Sequence, residues 1–221
     1  MYDPQIEFVE PLVPRALTFE VEERTLSDGT IQKSVDPVQI TKLTAKLSAA
    51  GVRSVAVSFL NAYKVPDNER AVREALLVAE PSLHVSLSSD VSPQMREYPR
   101  TSTTVVNAYT MPITKPYLTS LKTRLIERGF PNEPLIMLSS GGIIGAELAG
   151  RFPVRMIESG PAAGALVASY LADELGSISS CPSTWAAPQP KRASSRTVAR
   201  SSQERSKWIG AIDPNPEATF P

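Results

Sequence analysis

One cysteine, one histidine and two tryptophans among 221 residues leave little material for several kinds of chemistry. The lone Cys181 cannot form an internal disulfide, so no disulfide framework staples this chain, as befits a reducing compartment. His84 has no second His or Cys in reach by sequence, which excludes it as a metal ligand of the usual kind. Charge of one sign is not in excess: 23 Lys and Arg balance 23 Asp and Glu, so the composition gives no footprint for nucleic acid or an anionic membrane. Apolar runs stay short of the roughly 20 residues a membrane helix needs, and polar residues from Asp3 onward do not read as a signal peptide. Walker A and nucleophile-elbow patterns are missing as well. The expectation is a cytoplasmic protein of one large or two small domains.

What is present alternates between strand and helix signals. Leu17, Phe19 and Val21 alternate with polar neighbours, predicting a half-buried strand that turns at Ser27-Asp28-Gly29 into a hairpin. Ile40, Leu43, Leu47 and Ala50 share a helical face that Gly51 ends. Val55–Leu60 reads as a buried strand, and Asp67 as the cap of a helix with Val72, Ala75, Leu76 and Ala79 inward. His84–Ser88 alternates, with Val85 and Leu87 on one side and His84, Ser86 and Ser88 toward solvent. A long helix is expected from Thr101 to near Gly129, with Ile113, Tyr117, Leu121 and Leu125 inward and Pro112 and Pro116 bending or breaking it. Leu135–Leu138 is a strand ending in Ser139-Ser140-Gly141-Gly142, and Ala162–Leu175 the last helix. The class is therefore α/β with a mainly parallel or mixed sheet.

Two stretches carry the chemistry. Glu158-Ser159-Gly160-Pro161-Ala162-Ala163-Gly164 places a Ser-Gly-Pro corner before an alanine-rich helix, with Ser159 as N-cap and Pro161 where its missing N–H costs nothing. Such a helix start suits a phosphate or carboxylate, or simply turns the chain. Arg96, Glu97, Arg100 and Thr101, with Asn107 beyond them, form a dense polar patch. These residues either face a substrate or hold a helix entry together by salt bridges.

Pro11–Arg15 with Phe19–Arg24, Val55–Leu60, Arg96–Tyr109, and Met137–Gly142 with Ser159–Gly164 resemble the hydantoinase A/5-oxoprolinase family, in the family's order. The likeness runs from near the N-terminus to about Gly176. It implies an internal fragment, residues 1–176, of a partial actin-like ATPase (ribonuclease H-like) fold. The region would span the end of an N-terminal domain and the start of the hydantoinase A domain. The intact parent is expected to use ATP and Mg²⁺ to open hydantoin or 5-oxoproline rings with a hydantoinase B-type partner, and its spelling tilts toward N-methylhydantoinase-like members. An acetone carboxylase β-like subunit, or a non-catalytic partner-binding remnant, is the alternative.

The resemblance assigns Ser139, Gly141, Gly142, Ser159, Gly160, Pro161 and Gly164 to the nucleotide side; Ser140 stands where the family has Asn. It implies two D-x-G-G-T phosphate loops, in which glycines let backbone N–H groups approach phosphate and the Asp positions Mg²⁺. The first loop would lie upstream of this chain. The second is expected where the Ser-, Pro- and Arg-rich tail 177–221 stands, with no periodicity of its own. Back-translated and read one nucleotide earlier, Ser183–Arg192 spells F-D-M-G-G-T-T-A-K-A, so the tail reads as an out-of-frame, disordered translation. Losing that strand is expected to uncover apolar surface around Val105, Leu138 and Leu166.

Overall fold

A computed structural model describes residues 11–174 and three short strands beyond them, 183–186, 189–192 and 211–212. The chain divides into two compact units, Met1–Pro112 with Glu204–Pro221, and Ile113–Gln203.

In the first unit, Leu17, Phe19 and Val21 pack against the core as their alternation requires, yet they do not form a strand. A 3-10 turn takes Arg15–Leu17, and regular pairing begins at β1 (Arg24–Thr25) with β2 (Ile31–Lys33). The turn falls where Ser27-Asp28-Gly29 places it: Gly29 has φ +102°, and the Thr30 N–H donates to Asp28 Oδ1 at 2.8 Å. Helix α1 (Pro37–Ala49) is capped by Asp36, whose side chain accepts from the Val38 N–H. It ends at Gly51, φ +69°, a left-handed position that favours glycine.

Strand β3 (Ser54–Val57) is buried on both faces. Val55 and Val57 meet Ile40 and Leu47 of α1 and Val72 and Leu76 of α2 (Asp67–Ala79), while Ala56 packs against Ala108 on the other side. Asp67 does not cap α2; Pro66 holds the cap position, and Asp67 and Glu69 sit in the first turn, where the helix dipole favours acids. Strand β4 (His84–Leu87) pairs in parallel with β3 in register Ser54–His84 to Val57–Leu87. Its alternation is read with the wrong second face. Ser86, and Ser88 at the start of the short helix α3 (Ser88–Val91), are buried rather than solvent-facing. The helix that follows supplies the reason: the Asn107 side chain donates to Ser86 Oγ and Arg100 Nε to Ser88 Oγ.

That helix, α4, runs unbroken from Glu97 to Glu127, four residues earlier than expected and through both prolines. Pro112 removes the N–H that would bond the Ala108 carbonyl. Ser54 Oγ donates to that carbonyl instead, at 2.5 Å. Gly129, φ +86°, closes the helix.

In the second unit the inward side of α4 keeps the half-buried Leu121 and Leu125 of the expectation but takes Leu118 in place of Tyr117. Leu118 is buried beside Leu121, whereas Ile113 and Tyr117 are exposed. Leu118 meets Ala146 and Ala149 of α5 (Ala146–Arg151), with Ile136, Ile144 and Met156 around them. Strand β5 (Leu135–Met137) pairs antiparallel with β6 (Ile143–Gly145), so Ser139–Gly142 is a hairpin turn and not a strand-to-helix turn. A 3-10 turn, Pro153–Met156, leads to α6 (Ser159–Glu174). Of the apolar sites expected to be uncovered, Leu166 is exposed, Leu138 is buried and Val105 is half-buried against Ala56 and Ala108.

Past α6, β7 (Ser183–Ala186) pairs antiparallel with β8 (Gln189–Arg192), and β9 (Ala211–Ile212) pairs antiparallel with β3. The rest of the tail expected to be disordered, Cys181 included, lies outside the described residues.

Candidate functional site

The first unit holds a cleft of about 870 Å³ whose floor and walls come from three segments. Arg15, Thr18, Phe19, Glu20, Val21, Glu23 and Arg24 bring the extended N-terminal segment; Ser58, Phe59 and Leu60 follow the carboxyl end of β3; Glu97, Arg100 and Thr101 open α4. The carboxyl end of a parallel pair is where open α/β sheets collect ligands, because the loops there diverge. Thr101 marks the floor. Five other threonines of α4 (Thr103, Thr104, Thr110, Thr119 and Thr123) donate to the carbonyl four residues back. Thr101 turns instead to Ser58, with 2.7 Å between the hydroxyl oxygens. One proton serves the pair, and the second hydroxyl keeps a donor for a group in the cleft. Among the described residues Arg15, Arg24 and Glu20 enter no ion pair, so the rim offers both signs of charge.

Behind the cleft lies a closed polar network. Arg100 is fully buried (0 % exposed) and spends its donors on protein acceptors: Nε on Ser88 Oγ (3.1 Å), Nη1 on the Gln94 carbonyl (2.7 Å) and Nη2 on the Phe59 carbonyl (2.6 Å). The Tyr63 ring lies 5.7 Å from the guanidinium carbon. Burial pulls the Arg100 pKa below its ordinary value, and the charges of Glu69 and Glu97 oppose that shift. Glu69, also 0 % exposed, accepts four bonds: from the Phe59 N–H (2.9 Å) and Ser88 Oγ (2.5 Å) on Oε1, and from Ser89 N–H (2.9 Å) and Oγ (2.7 Å) on Oε2. The two opposite charges therefore meet through Ser88, and neither is left unpartnered in the interior.

The expected polar patch thus separates by depth. Glu97, Arg100 and Thr101 reach the cleft, Asn107 is buried two turns further along α4 on Ser86, and Arg96 is exposed and lies outside the lining. Ser58, Glu69 and Ser88 were not anticipated. Glu69 carried a signal, since it shares a helical face with Val72 and Leu76, and a lone acid on an apolar stripe calls for buried partners. Ser58 and Ser88 carried none.

The second unit holds the other expected residues. Ser139 donates both its N–H (2.8 Å) and its Oγ (3.0 Å) to the Arg155 carbonyl. Gly141 has φ +87°, and the room its missing Cβ leaves is taken by Leu166 of α6. At the Ser-Gly-Pro corner the helix begins at Ser159 itself, and the Ala162 N–H reaches the Glu158 carbonyl. Glu158, φ +61°, therefore precedes the helix in place of a Ser159 cap, and Pro161 still falls in the first turn. A Cβ at Gly160 would meet open space. Residues Ser159–Gly164 thus carry α6 toward the Gly141 turn through Leu166, while Ser139 is held by Arg155.

The model of the hydantoinase/oxoprolinase N-terminal region matches residues 1–78, and that of hydantoinase/oxoprolinase matches residues 100–180. Caprolactamase subunit alpha of Pseudomonas jessenii is 32% identical over 161 residues, covering 73% of this chain and 23% of that protein. The 5-oxoprolinase of Saccharomyces cerevisiae is 36% identical over 135 residues, covering 61% of this chain and 10% of that protein. A nucleotide-free structure of acetone carboxylase superposes with a TM-score of 0.72 at 31% identity, over 80% of this chain and 25% of that one. The chain spans about a quarter or less of the length of these relatives. Two consecutive family regions, in order and on the matching fold, place it: the chain belongs to the hydantoinase/oxoprolinase family.

Proposed function

We propose that this chain is an internal piece of an ATP-dependent hydrolase that opens cyclic amides of the hydantoin or 5-oxoproline type in the cytoplasm, and that it is inactive alone. The observation that carries this reading is the tandem match of both family regions within a chain that spans only a fraction of its relatives. The parent's fold is of the actin-like type, and its partner is a hydantoinase B-type subunit. The caprolactamase and acetone carboxylase relatives are themselves named as subunits. The acetone carboxylase likeness supports one alternative, a β-like subunit of a ketone carboxylase.

ATP and Mg²⁺ do not fit the residues at hand as a complete site. The Ser139 donors are spent on Arg155, and Leu166 fills the space at Gly141. Among the described residues no group of three or more His, Cys, Asp or Glu could hold a metal ion. Nucleotide chemistry therefore belongs to parts of the parent beyond the described residues, with Ser139–Gly142 and Ser159–Gly164 at most bordering it. The family match stops at residue 180, a few residues past the change of composition after Gly176, and this supports reading the tail as out of frame. The cleft over Ser58 and Thr101 is the substrate-side pocket of this piece.

Calorimetry tests the reading. Purified chain titrated with ATP and Mg²⁺ should give no binding heat and release no ADP with 5-oxoproline present. Micromolar ATP binding that EDTA abolishes would place the phosphate site inside this chain and overturn the proposal. Amide shifts on adding hydantoin or 5-oxoproline should centre on Ser58 and Thr101; shifts elsewhere would relocate the pocket.

A further inference from the structure

Phe59, in the loop after β3, is held at both of its peptide groups by buried charge. Its N–H donates to Glu69 Oε1 (2.9 Å), and its carbonyl accepts from Arg100 Nη2 (2.6 Å). Its ring is buried in the core of the first unit, while Ser58 before it and Leu60 after it line the cleft. Next in the chain, Asn61 stands in the left-handed region at φ +56°, uncommon for a residue other than glycine. Its carbonyl accepts from the Lys64 and Val65 N–H groups, and its Nδ2 donates to the Thr25 carbonyl at 3.0 Å, tying the loop to β1.

The residue before Glu69 grips another wall. Asn68 is buried; its Nδ2 donates to Glu23 Oε2 (2.9 Å) and the Lys33 carbonyl (3.3 Å), and its Oδ1 accepts from the Val35 N–H (3.3 Å). Thr25 Oγ1 donates to the same Glu23 oxygen at 3.0 Å. Glu23 and Arg24 line the cleft. Neighbouring side chains on a helix point about 100° apart, so Asn68 and Glu69 reach two different segments from one rigid turn of α2.

We propose that Asn68 and Glu69, with Arg100, are positioning residues of the cleft: one turn of α2 fixes both the β1 wall and the loop that carries Ser58. Well-packed apolar side chains would often fill the same interior at no cost in stability. They would not supply a directional grip on both peptide groups of Phe59, and a loop already ordered costs a ligand less to bind. This role extends the substrate-side reading of the cleft and rests on it only for the effect on ligand.

Amide hydrogen exchange on the full chain tests the geometry with no ligand present. Arg100→Lys keeps the charge but lacks the planar fork that spans Ser88, Gln94 and Phe59. The Phe59 amide should exchange at least ~10-fold faster, as for the loss of one charge-assisted bond, while Val55 and Leu76 keep their rates. Asn68→Asp sets two carboxylates against each other and should speed exchange at Leu26, whose N–H bonds the Thr30 carbonyl across the hairpin. Adding Glu23→Gln returns a donor with the roles reversed and should restore that rate, an outcome that decides the matter even if Arg100→Lys does not fold. Binding of 5-oxoproline, followed at the Ser58 and Thr101 amides, should need about 10-fold more ligand in Arg100→Lys. Acceleration spread evenly over the core, or none at Phe59, overturns the proposal. So does a double variant that exchanges as fast as Asn68→Asp, or equal 5-oxoproline affinity in both chains. Should the unaltered chain give no shift at Ser58 and Thr101, the substrate-side reading falls alone and exchange still decides the positioning.

Discussion

Ser54 Oγ donates to the Ala108 carbonyl at 2.5 Å, and that carbonyl is open because Pro112, four residues on, has no N–H to give it. The first residue of β3 thereby supplies the bond that a helix would normally make to itself. Both residues are buried, so no water can substitute.

The pair makes a double-mutant cycle. Ser54→Ala should cost about 1–3 kcal/mol, the penalty for an unsatisfied buried carbonyl. Pro112→Ala restores the helix N–H, and in that background Ser54→Ala should cost less than ~1 kcal/mol. Urea unfolding of the four proteins measures the coupling; equal costs in both backgrounds would show that Ser54 and Pro112 act independently.

Glu69 should be among the least replaceable residues of the first unit. Glu69→Ala removes the acceptor of four bonds and leaves Arg100 buried without its counter-charge. A loss of about 3–5 kcal/mol is expected, as for breaking one side of a buried ion pair. Replacing Glu69 and Arg100 together by Met should cost less than Glu69→Ala alone, because no charge is then stranded. Chemical denaturation decides it, and a double variant weaker than the single would contradict the paired reading.

Gly141→Ala should loosen the contact between the β5–β6 turn and α6. The position has φ +87°, and a Cβ there would come within 2.8 Å of Leu166 Cδ1. The side chain can move aside but the backbone cannot change hand, so about 1–2 kcal/mol should be lost. Adding Leu166→Ala should recover little of it. Faster amide exchange in Leu138–Gly142 would report the change directly.

Acid should weaken the β1–β2 hairpin first. The Thr30 N–H holds the Asp28 carboxyl below its ordinary pKa, and a hydrogen bond from Lys33 does the same for Glu22. Groups with depressed folded pKa values contribute stability that is fully present above the unfolded values and is lost as pH falls through the folded ones. The Thr30 amide shift, followed below pH ~4, should titrate beneath the ordinary Asp value, and Asp28→Asn should abolish the step. Both carboxylates are exposed, so salt should shrink the effect.

The sequence by itself determined the family, the α/β class, the α1 face at Ile40, Leu43 and Leu47 though not at the exposed Ala50, the Asp28-Gly29 turn and the strand at 55–57. Each of these rests on local periodicity, turn chemistry or an ordered set of motifs, and none needs a distant neighbour. Tertiary structure decided the rest. Ser86 and Ser88 read as solvent-facing because polar residues alternating with apolar ones look the same whether water or the polar side of α4 covers them. The continuity of α4 past Pro112 depended on a hydroxyl 54 positions away in sequence. The cleft depended on Thr101 turning from its own helix to Ser58, a choice only the packing of β3 against α4 imposes.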